Sequence, residues 1–508
     1  MTKKAHWFWL IVGITLLGAV LRSFRLGWQS LWLDELFSVL LVRRNWVGIV
    51  AGTAEDILPP LFYLLLNLAL RLGESETAAR LVPFFFSVLT IPLAYRLTQE
   101  LFNRQAALAA AIFLAINPFH VLYAQEARMY TQFAFFSTAA AFFLWRAWHN
   151  NNRRDWIYFT LVSILNLYTH SLAFLTTLAL ILYVLIHWRQ GNGRWRSWFI
   201  SHAIIGVAFL PWVAVILQQT TRLGSEFSGA SQSPFTLFRA IYLFLFSTTT
   251  PIPLAGVGLV AALTLLAFAV LTKRKKAATN ISLHTQTTRQ ATTHVSVPPV
   301  KKSPVLFAVL IFAVPVIGLY LISLIQPIFI ERRLLPASIG LYVLLGWADV
   351  RPEPRWLNRI LGVALGVSML SALPNYYTNP DVQKIPMRTV AQAVADQIEQ
   401  GDVVIHTSDT SALAFMIYQP HIDSYFLSGD PDYVLQSNRG RAQRIAGLEP
   451  ATSREATENH ERIWLIVTLD HAVDYQQERL AEFDNHYMRL DQKNVGGVDI
   501  YLFEGDSR

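Results

Sequence analysis

Apolar residues in this chain come in long blocks rather than alternating with polar ones. Runs near 7–26, 80–100, 106–123, 130–148, 156–169, 171–188, 198–217, 254–272, 304–325, 334–348 and 359–373 are nearly free of charge. A block of about 18–20 apolar residues spans a hydrocarbon layer of roughly 30 Å, so the pattern predicts about eleven transmembrane helices. The runs at 156–169 and 334–348 are short for a full crossing. The first run follows Lys3 and Lys4 as in a signal peptide, but no small-residue cleavage site follows and Arg22 and Arg25 come next. It reads as a retained helix.

Beyond Pro374 the pattern changes to short apolar runs bounded by turns. "DVVIHT" (402–407), "IWLIVT" (463–468) and "GVDIYLF" (497–503) predict strands, and 387–400 and 471–483 predict helices. The expected architecture is an α-helical polytopic membrane domain over 1–374 and a small soluble α/β domain over 375–508. Within the first, 27–79 is a long outer loop. The segment 273–303, rich in Thr and Ser, predicts a flexible cytoplasmic linker; its His284 and His294 read as solvated rather than metal-bound.

Composition supports this division. Hydrophobic residues are 53% and charged residues 15%, against roughly a quarter charged in soluble proteins. The net charge of +8 comes from Lys and Arg clustered between apolar runs, without a nucleic-acid-binding motif. Arg153, Arg154, Arg189, Arg194, Arg196, Lys273, Arg274, Lys275 and Lys276 fall in loops on one side. That side is cytoplasmic by the positive-inside rule, with the N-terminus inside and the C-terminal domain outside. The absence of Cys excludes disulfides, thiolate metal sites and a cysteine nucleophile.

Three clusters carry candidate chemistry on the outer side. "SLWLDELFSV" (30–39) sets Asp34 and Glu35 in an apolar, aromatic segment beside the membrane, where charge is expensive. Apolar surroundings raise a carboxylate towards values useful for a general base. The structural alternative is an acidic pair at a helix N-terminus. "NPFHVLYAQEARMY" (117–130) concentrates His120, Tyr123, Gln125, Glu126, Arg128 and Tyr130. Arg128 suits a phosphate oxygen, or alternatively pairs with Glu126. "QPIFIERRLLP" (326–336) places Arg332 and Arg333 against the positive-inside tendency, to meet an anion or else Glu331. His170 lies on the same face, and Arg22 adds charge nearby. No Asp-x-Asp motif occurs in the first outer loop and the C-terminal glycines form no phosphate-binding fingerprint, so no metal and no cofactor are assigned.

These motifs, with "PPLFYLLL" (59–66), "LYTHS" (167–171) and "IERRLLPA" in order, resemble the bacterial glycosyltransferase family 39-like proteins of the GT-C superfamily, related to protein mannosyltransferases and the aminoarabinose transferase. The resemblance covers most of 20–348. It implies an inverting transfer of a sugar from a polyprenyl-phosphate donor to a lipid, glycan or protein hydroxyl, on the extracytoplasmic face of a bacterial plasma membrane. Asp34 would be the general base, supported by Glu35. Arg128 and Arg332 or Arg333 would hold the donor phosphate. Arg22, Pro59, Pro60, Tyr63, His120, Tyr123, Gln125, Glu126, Tyr130 and His170 would line the substrate pocket, shaped by amphipathic juxtamembrane helices within 36–72. Two departures bear on the substrate: Leu58 stands where many relatives carry a polar residue, and Arg333 where many carry Tyr. The C-terminal domain is expected to select the acceptor. The rival readings are a transporter or flippase of an anionic polyprenyl lipid, which would use the arginines without a base, and a non-catalytic binding module.

Overall fold

The computed structural model describes residues 3–191, 193–223, 233–271, 302–350, 354–427, 438–458, 460–468 and 473–505. Every one of the eleven apolar runs falls on a helix. Among the described residues, six helices are long and apolar enough to cross a membrane: Ala5–Ser23, Glu76–Leu101, Trp195–Gln219, Ile252–Leu271, Pro304–Ser323 and Arg355–Thr378. A seventh span results if the bent pair Arg104–Ile116 and Pro118–Ala124 is counted as one. The count of eleven full spans is therefore not met by length and composition. Arg153–Leu167, Ala173–Ile186 and Leu335–Asp349 run 15, 14 and 15 residues, short of the roughly 20 that a crossing needs. The last is buried along its length, as a helix apolar all round must be. A Cβ at its Gly346 would lie 2.5 Å from the Ala106 carbonyl oxygen, so glycine lets two helix backbones touch. The long spans present Leu16, Val207, Val260 and Val363 outward, an apolar exterior of the kind that faces lipid.

The helices that shape the site come first in the chain: α1 (Lys3–Ser23), α2 (Leu33–Val42), α3 (Trp46–Glu55), α4 (Leu61–Leu70), α5 (Glu76–Leu101), α6 (Arg104–Ile116), α7 (Pro118–Ala124) and α8 (Tyr130–Asn150). Between α6 and α7 the chain turns by 56°. Asn117 sits at the corner: its side-chain oxygen accepts from His120 N at 3.0 Å, and its amide nitrogen donates to Phe244 O at 2.9 Å. Pro118 follows as the first residue of α7, where a missing N–H does no harm. Of the predicted linker, residues 273–301 lie outside the described residues.

The C-terminal domain is a six-stranded sheet in the order β3-β2-β1-β4-β6-β5. Its strands are β1 (Val403–His406), β2 (Ser424–Leu427), β3 (Pro450–Ala451), β4 (Arg462–Thr468), β5 (Arg489–Val495) and β6 (Val498–Glu504). The first four are parallel, and β6 runs antiparallel to β4 and β5. Strands β1 and β4, read from the sequence as buried runs, are the centre of the sheet with Val404 opposite Trp464. Gly496 and Gly497, at φ 59° and 88°, make the two-residue turn between β5 and β6, a conformation that favours glycine at both positions.

Two helices of this domain, Asp409–Tyr418 and Asn438–Ala446, pack on α2. Polar ties reinforce the contact. Tyr418 Oη accepts from Leu31 N at 2.9 Å, Arg43 donates to Met416 O at 3.1 Å, and Arg388 pairs with Glu76 at 2.8 Å. Consequently α2 is not amphipathic, as the reading of 36–72 expected. Residues Glu35–Val42 are all buried, with the membrane bundle on one side and the soluble domain on the other.

Candidate active site

A cavity of about 250 Å³ lies where α2, the loop before α4, the α7–α8 corner, the segment 331–334 and the soluble domain meet. Asp34, Arg128, Tyr130, His170, Arg332 and Arg333 line it, bringing together residues from four separate stretches of sequence. Asp34 is in the first turn of α2 and about a quarter exposed. Its Oδ2 accepts from Arg332 Nη2 at 3.1 Å and lies 3.9 Å from Arg128 Nε. Its surroundings are therefore cationic rather than apolar.

The arginines are held in place. Arg128 donates through Nη1 to Ser38 Oγ at 3.1 Å, to the Asp34 carbonyl at 3.3 Å and to Tyr63 Oη at 3.4 Å. Arg332 is packed over the Trp32 and Tyr130 rings, at 5.1 and 5.7 Å from their centroids. Cation–π contact of this kind holds a guanidinium without neutralising it. The Nε–H groups of both arginines are buried and meet no acceptor among the described residues, which is costly unless an anion arrives. The alternative partners are engaged elsewhere or not used. Glu331 pairs with Arg239 at 3.3 Å, and Arg128 takes Asp34 rather than Glu126 as its carboxylate. Arg333 lines the cavity but spends Nη1 on the Ile328 carbonyl at 2.8 Å. His170 stacks on Phe133 and accepts from Leu172 N through Nδ1. Burial, with Arg333 and Arg128 nearby, pulls its imidazole down to about 3, so it is neutral at pH 7.

Glu35 lies behind the cavity wall, not in it. Fully buried at the third position of α2, it accepts from Arg80 Nε and Nη2, both at 2.9 Å, Lys384 Nζ at 2.9 Å and Ala127 N at 2.7 Å. Its Oε2 also accepts from Trp32 N at 3.3 Å, half of a capping box. Burial alone would raise this carboxyl; Arg80 and Lys384 outweigh that and hold it at about 2. Glu35 is thus held behind the cavity by Arg80, Lys384 and the Ala127 amide, while Asp34 alone of the pair faces it.

Several expected pocket residues are structural. Arg22 is sequestered between helices, donating to Ser87 Oγ and the Ala115, Leu114 and Gly18 carbonyls. Gln125 donates to Arg22 O and Phe24 O and accepts from Tyr376 Oη. His120 bonds Ser338 Oγ at 2.7 Å, and Tyr123 packs edge-on to Phe119 and Tyr130. Glu126 is buried beside the site and pushed up by that burial. Pro59 and Pro60 are buried at the start of α4, and Tyr63 reaches the site only through Arg128. Charge or polarity in an apolar segment marks a buried, satisfied group as readily as a catalytic one.

Leu58, noted in the sequence as a departure bearing on the substrate, lines the cavity from the loop before α4. Other cavity residues were not singled out from the sequence: Asp56 comes from the same loop, and Asp409, Leu413, Ala442 and Gln443 from the C-terminal domain. Burial pushes the Asp56 carboxyl up to about 6 despite Arg128 nearby. Nothing in the local sequence of Asp409 or Gln443 signals the membrane domain. The one available signal was α2 itself, whose "LFSVLLV" leaves no polar face for water. Among the described residues no group of three or more His, Cys, Asp or Glu is placed to hold a metal.

A multi-span helical bundle thus carries a C-terminal sheet domain seated on the 27–79 segment, and a cavity holding a carboxylate and arginines lies between them. Residues 58–217 match the family described as dolichyl-phosphate-mannose-protein mannosyltransferase. The structure is similar to ArnT from Cupriavidus metallidurans in the apo state (TM-score 0.66, 12% identity, 99% of this chain and 98% of that one). It is also similar to the same protein bound to undecaprenyl phosphate (TM-score 0.62, 13% identity, 98% of each chain). The archaeal oligosaccharyltransferase AglB from Archaeoglobus fulgidus, in complex with an inhibitory peptide and a dolichol-phosphate, aligns at TM-score 0.52 and 12% identity, over 98% of this chain and 74% of that one. No curated protein matches. At these identities the likeness is one of fold.

Proposed function

We propose that this protein transfers a sugar from a polyprenyl-phosphate donor to a hydroxyl group on the extracytoplasmic face of the membrane, with inversion at the anomeric carbon. The observation that carries the reading is one cavity in which the Asp34 carboxylate faces Arg128 and Arg332, each with a buried Nε–H lacking an acceptor among the described residues. The similar structures, one bound to undecaprenyl phosphate and one in complex with a dolichol-phosphate, support it. A donor phosphate entering beside the arginines takes over the Arg332 bond, which frees Asp34 Oδ2. Asp34 then accepts the proton of the acceptor hydroxyl. The acceptor oxygen bonds to C1 of the sugar as the C1–O bond to phosphate breaks, and the polyprenyl phosphate leaves with that electron pair. Arg128 and Arg332 stabilise the charge gathering on the leaving group, and His170, being neutral, adds none. Glu35 sets the orientation of α2 and so of Asp34.

An acceptor hydroxyl on a lipid, glycan or protein, and placement in a bacterial plasma membrane with the C-terminal domain outside, belong to the same reading. The test is transfer of radiolabelled sugar from a panel of polyprenyl-phosphate sugars by purified protein supplied with host membrane extract. Wild type should label an acceptor, and Asp34→Asn should lose transfer by at least about a hundredfold while still binding the donor. Equal transfer by both proteins removes Asp34 as the base. Movement of the lipid across the bilayer without transfer by either protein favours the flippase reading.

A further inference from the structure

The soluble domain does more than cover the cavity; it contributes the wall formed by Asp409, Leu413, Ala442 and Gln443. Asp409 opens the helix Asp409–Tyr418, and Gln443 lies on the helix Asn438–Ala446. Gln443 Nε2 donates to Asp409 Oδ2 at 3.0 Å, which fixes the amide so that its oxygen points the other way. That Oε1 is buried and meets no donor among the described residues, while the residue as a whole is only 5% exposed. A buried amide oxygen without a donor is as costly as a lost hydrogen bond.

What the cavity offers at this wall is an acceptor oxygen beside a carboxylate, with Phe37 and Leu413 supplying apolar surface. A sugar ring complements such a wall: its hydroxyls donate to carboxylate and amide oxygens, and its C–H faces lie on apolar side chains. We propose that Asp409 and Gln443 form a hydroxyl-binding subsite that recognises a sugar ring, so that the soluble domain determines specificity. This rests on the glycosyltransferase reading above. The ring belongs either to the donor or to a glycan acceptor, and the experiment separates the two.

Full-length protein in detergent is titrated with bare polyprenyl phosphate and with the same lipid carrying its sugar, for wild type, Gln443→Leu and Gln443→Asn. Bare lipid should bind all three within about twofold, which also reports that the variants fold. If the donor's ring occupies the subsite, Gln443→Leu lowers affinity for the sugar-bearing lipid by roughly tenfold, the value of a hydrogen bond or two. If the acceptor's ring occupies it, donor binding is unchanged and KM for the glycan acceptor rises by a similar factor. Should Gln443→Leu fail to bind bare lipid, the same comparisons are read on Gln443→Asn, which withdraws the amide by one methylene. Unchanged donor affinity together with unchanged acceptor KM overturns the subsite. A wild type that binds neither lipid removes the glycosyltransferase reading, and the subsite falls with it.

Discussion

Asp34 and Glu35 are neighbours in sequence with opposite fates. One turns to the cavity and meets arginines it can lose to a ligand; the other turns inward and is bound by Arg80, Lys384 and the Ala127 amide. Replacing Glu35 by Gln leaves two buried cations without their counter-charge and should cost about 3–5 kcal/mol, seen as a large fall in melting temperature in detergent. A variant melting with the wild type would make the network dispensable. The sign of the pH effect follows from the depressed carboxyl. Its stabilisation is complete above the ordinary value of 4.5 and is lost as pH falls through about 2. Asp56 behaves oppositely. Its carboxyl, raised to about 6, gains a proton as pH drops from about 7.5 to about 5, removing a negative charge from a cavity that receives a phosphate. Affinity for a sugar-phosphate diester lipid, whose own charge is constant over that range, should rise severalfold. In Asp56→Asn the titration should be flat; a persistent slope would assign the effect to another group.

At the scale of elements, the corner between α6 and α7 decides where Arg128 stands. Because the chain bends at Asn117, the residues after α7 fold back over α2, and Ala127 N reaches Glu35 Oε1. Asn117→Ala removes a helix cap and the bonds to the Phe244 and Leu245 carbonyls. A loss of about 1–2 kcal/mol in stability is expected, measured by thermal unfolding; no loss would mean that packing alone holds the bend. This element also marks how far the sequence could be read. The apolar runs located most helices of the bundle but missed Phe235–Phe246, and charges out of place drew attention to Asp34, Arg128 and Arg332. The same logic misassigned Arg22 and Gln125, because a polar group satisfied by helix-end carbonyls breaks an apolar pattern just as a catalytic one does. The count of eleven spans is not confirmed, since a 15-residue buried helix is as apolar as one crossing a bilayer.

For the molecule as a whole, the membrane and soluble domains form one working unit. Lys384 and Arg388 enter the first outer loop, α2 is covered by two helices of the soluble domain, and the cavity has residues from both. None of this was legible from Asp409 or Gln443, whose local patterns are those of ordinary helices; contact between distant segments leaves no periodicity. The chain has no cysteine, so spin labels can be placed without background. With labels on the exposed Leu72 and Met488, pulsed dipolar spectroscopy should give one narrow distance between the domains, and Arg388→Glu should broaden it. A broad distribution in the wild type would mean that the domain is not seated.

Glu35 also fixes when the protein becomes competent. Its partners Arg80, Ala127 and Lys384 are spread over some three hundred residues of chain, and the cavity is finished by Asp409 and Gln443 beyond them. During synthesis Asp34 emerges early, but the assembly around it waits for Lys384, Asp409 and Gln443 to be made and folded. A nascent chain therefore holds Asp34 without its surroundings, and the cavity wall is complete only after Gln443 has been made.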